Sequence, residues 1–226
     1  IAAMSPAGSG QFDIPERLLR HFGSIHCPKQ SITSLQTILN SLMKTLFVEH
    51  KHFVRELIPT TVNASLDFLN RCTTNLLPIP SKMHYIFSQR NLVRVLKGML
   101  MVHPQDLPSP DHYIRLFYHE MQREFQDRFN SDEDRKFFSV NIQEVIVKHF
   151  KIDYERVLYT DKVMFNDFAD QQQRYKEVFT PMEDIIKICR DSLEEHNHDS
   201  QKQLDIVIFE EAVDHISSLS RILGLP

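Results

Sequence analysis

Arg90 and Arg94 stand one helical turn apart, directly after the aromatic stretch Tyr85-Ile86-Phe87, and a second pair, Arg17 and Arg20, shares a face of a short helix near the N-terminus. Arginine forks suit phosphate oxygens where charge develops in phosphoryl transfer. The same pairs also serve as surface ion-pair formers, and the residues alone leave both uses open. The rest of a nucleotide-hydrolysing site is missing. A phosphate loop needs GxxxxGK[ST] ahead of a helix and an acidic strand end to hold Mg²⁺. The turn Gly8-Ser9-Gly10 is too short and lacks the lysine.

Twelve histidines raise the question of a metal. His50/His52 and His196/His198 are spaced by two, which on a helix points the rings apart. His119-Glu120 is followed by Met121, Gln122 and Arg123 instead of completing HExxH, and there is no CxxC. Solvated surface histidines and no metal site are expected. No GxSxG elbow supports a Ser/His/Asp triad. Cys27, Cys72 and Cys189 are odd in number and far apart, which favours free buried thiols in a reducing compartment over a disulfide framework. Net charge is −4 with acids and bases interleaved, unlike the basic footprint of a nucleic-acid binder. The apolar runs fall well short of the ~18 residues of a transmembrane helix, and the N-terminus has no signal-peptide pattern. Neither nucleic acid nor membrane is expected as a partner.

The elements that must carry these residues are mostly helices. Residues 1–10 combine a short apolar run with a Ser/Pro/Gly turn, expected as a strand ending in a loop, and Asp13-Ile14-Pro15-Glu16 has the form of a helix start. From Ser31 a helical period runs through Leu35, Ile38, Leu39, Leu42, Met43 and Leu46. A break is expected at Pro59, then a helix through Val62, Leu66, Leu69, Cys72 and Leu76. Leu92, Val95, Leu96 and Met99 form the apolar face of the Arg90 helix, and Tyr113, Leu116, Phe117, Met121, Phe125 and Phe129 form the next stripe. A helix follows over 135–150 behind the acids of 132–134, then an irregular aromatic-rich stretch over 151–179 with one short helix. Thr180-Pro181-Met182-Glu183 reads as cap, proline and glutamate in favoured order, and a last helix is expected over about 203–223 through Ile206, Phe209, Val213, Ile216 and Leu219. The fold class is mainly α: a helical bundle with a short strand remnant of an α/β subdomain at its N-terminus.

Read in order, several segments resemble the dynein heavy-chain motor. IAAMSPAGSG followed by IPERLLRHF resembles the stretch of the third AAA+ module where a small-residue strand and a Gly/Pro loop precede an arginine helix. HYIFSQRNLVRVLKGML resembles a segment of that module's helical lid, IRLFYHEMQREFQDRF a further lid helix, and MFNDF a short motif beyond it. DIVIFEEAVDHISSLSRILGLP resembles the lead-in helix of the fourth module, ahead of that module's phosphate loop. The axonemal branch fits better than the cytoplasmic one.

The resemblance implies residues 1–30 as the end of the large α/β subdomain, 31–200 as the lid and its connecting helices, and 201–226 as the lead-in helix. It implies Arg90 as the lid arginine that senses bound phosphates, with Arg94 supporting it, and Arg20 as an arginine finger or its remnant toward a neighbouring module. Ser5 falls where AAA+ proteins place a polar residue that orients water. The loop around it departs from the Gly-rich form of relatives, which puts that role and hydrolysis by this module in question. ATP or ADP with Mg²⁺ would belong to the intact motor, and none is expected in the isolated fragment. The implied partners are neighbouring AAA+ modules, other dynein chains and, through the intact motor, microtubules; the implied place is the cytoplasm and the cilium axoneme. The segment would gate or transmit the cycle of an ATP-driven motor without being catalytic alone. On the residues themselves, a free-standing helical adaptor that binds partner proteins through its amphipathic faces is the alternative.

Overall fold

The computed structural model describes residues 1–4, 14–28, 30–159, 162–169, 174–200 and 202–224. The chain divides into two compact units, residues 1–31 and 32–226. In the first, α1 (Glu16–Leu19) starts from Pro15, whose fixed φ suits a helix entry, and closes at Arg20. Residues 1–4 carry no regular secondary structure, and the rest of the expected strand and loop, Ser5 included, lies outside the described residues, as does Asp13.

The second unit is built from α2 (Ile32–Leu46), α3 (His52–Asn75), α4 (Gln89–Met99), α5 (Pro110–Phe125), α6 (Asp132–Phe150), α7 (Tyr154–Val157), α8 (Met182–Asp199) and α9 (Glu210–Gly224). A two-stranded antiparallel ribbon of β1 (Phe165–Asn166) and β2 (Lys176–Glu177) interrupts the irregular stretch, with Phe165 opposite Glu177. The mainly helical bundle expected from the apolar periods is present. Its core gathers Phe68, Phe117, Phe125 and Phe138, with Phe68 edge-on to both Phe125 and Phe138 at centroid separations of 5.2 and 5.4 Å. A smaller cluster of Met164, Ile185, Ile208 and Val213 holds α8 and the start of α9.

Pro59 does not break the chain: α3 runs through it, and the break falls earlier, over residues 47–51. Pro59 and Arg55 both sit on the exposed side of α3, so the Arg55 carbonyl that loses its partner opens to water. The earlier turn is fixed by Phe47 and His50, which bury their rings side by side, centroids 4.7 Å apart. The α2 stripe is also narrower than its period suggests. Leu39 and Met43 are buried, while Ile38 and Leu46 are exposed.

Starts and ends show local chemistry at work. The Ser131 hydroxyl accepts from the Asp134 N–H at the start of α6, where three acids complement the helix dipole. At α8 the residue in the cap position is Pro181, not Thr180, and no side chain caps it. The last helix begins at Glu210, later than expected, because Asn197 takes both backbone groups of Leu204: its amide donates to the carbonyl at 2.9 Å and its Oδ1 accepts from the N–H at 2.7 Å. The three cysteines are free; Cys72 is buried, which pushes its thiol up to about 12.

Asp67 on α3 ties this helix to α6. Its Oδ2 accepts from Lys148 Nζ at 2.7 Å and from His149 Nε2 at 3.0 Å, and Arg71 reaches across to Glu144 at 2.6 Å. Burial opposes the ionised Asp67, but the hydrogen bonds from Lys148 and His149 outweigh it and bring the carboxyl down to about 2. A depressed carboxyl contributes stability above its unfolded pKa and loses it as pH falls through the folded value. Asp67→Asn should therefore cost about 1–2 kcal/mol at pH 7 and progressively less between pH 4 and about 2, read as urea midpoints across that range.

Candidate functional site

Helix α4 presents the arginines. Its inner face buries Leu92, Val95, Leu96 and Met99, as their spacing requires, and this leaves Arg90 and Arg94 on the exposed face. The helix start is fixed by Asn91, whose Oδ1 accepts from the Ser88 N–H at 2.8 Å, half of a capping box. The Asn91 amide then donates to Glu124 Oε1 of α5 at 2.7 Å, and Arg94 Nη1 faces the same oxygen at 3.5 Å. Arg90 has no ion-pair or hydrogen-bond partner among the described residues.

A cavity of about 660 Å³ opens here, lined by Ile86, Ser88, Arg90, Val93, Arg94 and Arg128 among others. Its wall is held from the far side. Arg128 Nη2 donates to the His84 carbonyl at 3.1 Å, His84 Nε2 donates back to the Arg128 carbonyl at 2.8 Å, and the Arg128 guanidinium stands 5.5 Å over the Phe87 ring. Tyr85, between them, is buried and donates to Asp134 Oδ2 at 2.7 Å, where Lys82 Nζ also donates at 2.5 Å. The aromatic segment is thus a rigid floor leading into α4. The cavity therefore has an apolar edge at Ile86 and Val93 and three guanidinium groups.

Arg128 is the site residue that the arginine spacing alone misses. It lies 38 positions past Arg90, in the turn after α5, and only the paired bonds with His84 bring it back. Arg17 lies on α1 in the first unit and Arg20 caps its C-terminal end, both exposed, with Arg20 Nε donating to His21 Nε2 at 3.3 Å. Ser5 lies outside the described residues.

The His119-Glu120 pair is interior. His119 donates from Nδ1 to the Val163 carbonyl at 3.0 Å, and burial, with Arg123 nearby, lowers its pKa to about 3. Glu120 is wholly buried and meets Arg221 of α9. Among the described residues, no group of three or more His, Cys, Asp or Glu could hold a metal ion. A second cavity, about 470 Å³, lies beside the ribbon and is lined by Asp106, His112, Lys176, Glu177 and Phe179 among others; it presents no arginine. No described helix is long and apolar enough to cross a membrane.

The AAA+ lid domain family matches residues 61–160, from within α3 through α7. Over 99 % of its length the chain is 30 % identical to human dynein axonemal heavy chain 6 and to rat dynein axonemal heavy chain 12. It is 29 % identical over its whole length to human dynein axonemal heavy chain 10. The chain carries an AAA+ lid of the dynein heavy-chain kind. It spans only 5–8 % of the length of these relatives. In this dynein-type lid, the matched region contains all three cavity arginines and the two buried α5 carboxylates, Glu120 and Glu124.

Proposed function

We propose that this segment is the lid of the third AAA+ module of an axonemal-type dynein heavy chain, running into the first helix of the fourth, and that it senses nucleotide and passes on the resulting movement. On this reading residues 1–30 close the large subdomain, 31–200 form the lid with its connecting helices, and 201–226 lead into the next module. Arg90 contacts the phosphates of ATP or ADP bound in the intact motor, and Arg94 supports it. Arg20 is the arginine finger, or its remnant, toward a neighbouring module, and Ser5 falls in the sequence where AAA+ proteins place a water-orienting residue. The observation that carries the reading is the open cavity on α4, where Arg90 has no described partner and Arg94 and Arg128 stand beside it.

Guanidinium forks at such a place fit phosphate oxygens. Mg²⁺ would accompany the nucleotide in the intact motor. A bound nucleotide supplies charge for these arginines to follow, and the lid moves as a body between states. Neighbouring AAA+ modules and other dynein chains are the partners, and microtubules are the track of the whole motor in the cilium axoneme.

The test is Arg90→Ala in the heavy chain that carries this segment. Nucleotide affinity at this module should fall roughly 10- to 100-fold, as expected when a charged hydrogen bond to phosphate is lost. Affinity equal to wild type would remove the sensor assignment.

A further inference from the structure

Helix α9 is fastened to its unit by an unexpected face. Its buried residues are Val213, Ser217 and Arg221, at steps of four, whereas Phe209, just ahead of it, and Leu219, Ile222 and Leu223 are exposed. The apolar stripe through Leu219 would have turned Arg221 outward. An arginine on an inner stripe is stable only with a paired anion.

The anion is Glu120 of α5. Its Oε2 accepts from Arg221 Nε at 2.8 Å and Nη2 at 2.5 Å, and its Oε1 accepts from the Tyr175 hydroxyl at 2.8 Å. Arg221 is 5 % exposed and Glu120 not at all. Further polar ties line the same helix: Arg123 donates to Ser218 at 3.0 Å, Ser220 donates to Asp167, and Lys162 meets Glu210 and Asp214 at 3.0 and 2.7 Å. One turn along α5, Glu124 holds Asn91 and faces Arg94 on the arginine helix. Two carboxylates four residues apart on one helix thus grip two different helices, one carrying the candidate sensor and the other α9.

We propose that Glu120 is a positioning residue that couples the arginine helix to α9. Together with Glu124 it makes α4, α5 and α9 one rigid body, so that a displacement imposed at Arg90 and Arg94 is delivered to α9. The transmission step rests on the sensor reading of those arginines; the junction itself does not.

Hydrogen exchange read by mass spectrometry on the whole chain tests the junction. Glu120→Gln keeps the shape and removes the charge, and peptides covering 210–224 should then exchange roughly 100-fold faster while those of α3 and α6 hold their rates. Arg221→Lys keeps the charge but loses the fork; it should accelerate the same peptides less and serves if the glutamine variant does not fold. Unchanged α9 exchange in both variants overturns the proposal. So does an acceleration shared equally by α3 and α6, which marks general loosening. In the heavy chain, Glu120→Gln should slow ATP-driven gliding along microtubules several-fold at wild-type nucleotide affinity for this module; unchanged gliding overturns transmission. Wild-type affinity in Arg90→Ala, with α9 exchange still faster in Glu120→Gln, would remove the sensor reading alone and leave the junction standing.

Discussion

Gly98→Ala should destabilise the chain by about 2–4 kcal/mol, although alanine is the better helix former by about 1 kcal/mol. A Cβ on Gly98 would lie 1.7 Å from Glu120 Oε2, 2.5 Å from its Cδ and 2.9 Å from Arg221 Nη2. An exposed glutamate could swing aside at little cost. Glu120 is completely buried and held on both oxygens, so it cannot move without breaking the bonds to Arg221 or Tyr175. Breaking one leaves a buried charge or hydroxyl unpaired, which costs more than the gain in helix propensity. Urea unfolding of the single variant gives the size of the loss. The sign should reverse in a Glu120→Ala/Arg221→Met background, where Gly98→Ala has room and should stabilise by up to about 1 kcal/mol. Loss of equal size in both backgrounds would place the cause elsewhere than at the carboxylate.

The same junction explains which parts of the fold were legible. Helices α4 and α5 follow from their apolar periods, because their inner faces meet the core through Leu, Val, Met and Phe side chains at regular steps. Arg90 and Arg94 are visible as a pair for the same reason: once the buried face of α4 is known, their exposure follows. Helix α9 follows its period only in part. Its inner stripe is chosen by an ion pair between residues 101 positions apart, and no local pattern announces a partner at that distance. Of the residues that the period assigns to the core, Val213 is buried and Ile216 packs against the smaller cluster, whereas Phe209 and Leu219 are left outside.

The other departures have equally specific causes. A proline on a solvated helix face frees a carbonyl that water satisfies, so Pro59 carries little information, whereas Phe47 and His50 turn the chain by burial that only the assembled core provides. The β1–β2 ribbon rests on another buried pair, Arg115 Nε to Glu177 Oε1 at 2.5 Å, joining residues 62 positions apart. Helix α5 therefore carries a polar interior spine of Arg115, His119, Glu120 and Glu124 beside its apolar stripe. Those four look like ordinary helix-surface residues until their partners arrive. Arg128 belongs with them, since it joins the arginine cavity only through His84 and Phe87.

That spine also makes the chain sensitive to acid through His119. Burial disfavours its charged form, the Arg123 and Arg221 cations add to this, and the bond to the Val163 carbonyl opposes it; the net result is a pKa of about 3. The ring of Phe165, 5.2 Å away, offers no compensating anion. Between about 6.5 and 3 the unfolded chain binds a proton at this histidine that the folded chain does not. Stability from this group is thus complete above about pH 6.5 and falls as pH decreases, by about 2 kcal/mol between pH 7 and 5. His50, also lowered by burial, acts in the same direction, while burial raises the Glu120 carboxyl against the pull of Arg221 and acts in the opposite one. Those contributions are common to wild type and His119→Gln, so the difference between the two isolates His119. Glutamine can still donate to the Val163 carbonyl but does not titrate. Its urea midpoint should start lower at pH 7 and then decline less steeply, the gap between the proteins narrowing by about 2 kcal/mol at pH 5. Parallel decline of the two would mean that His119 is charged in the folded state, and the neutral, carbonyl-bonded histidine would have to be abandoned.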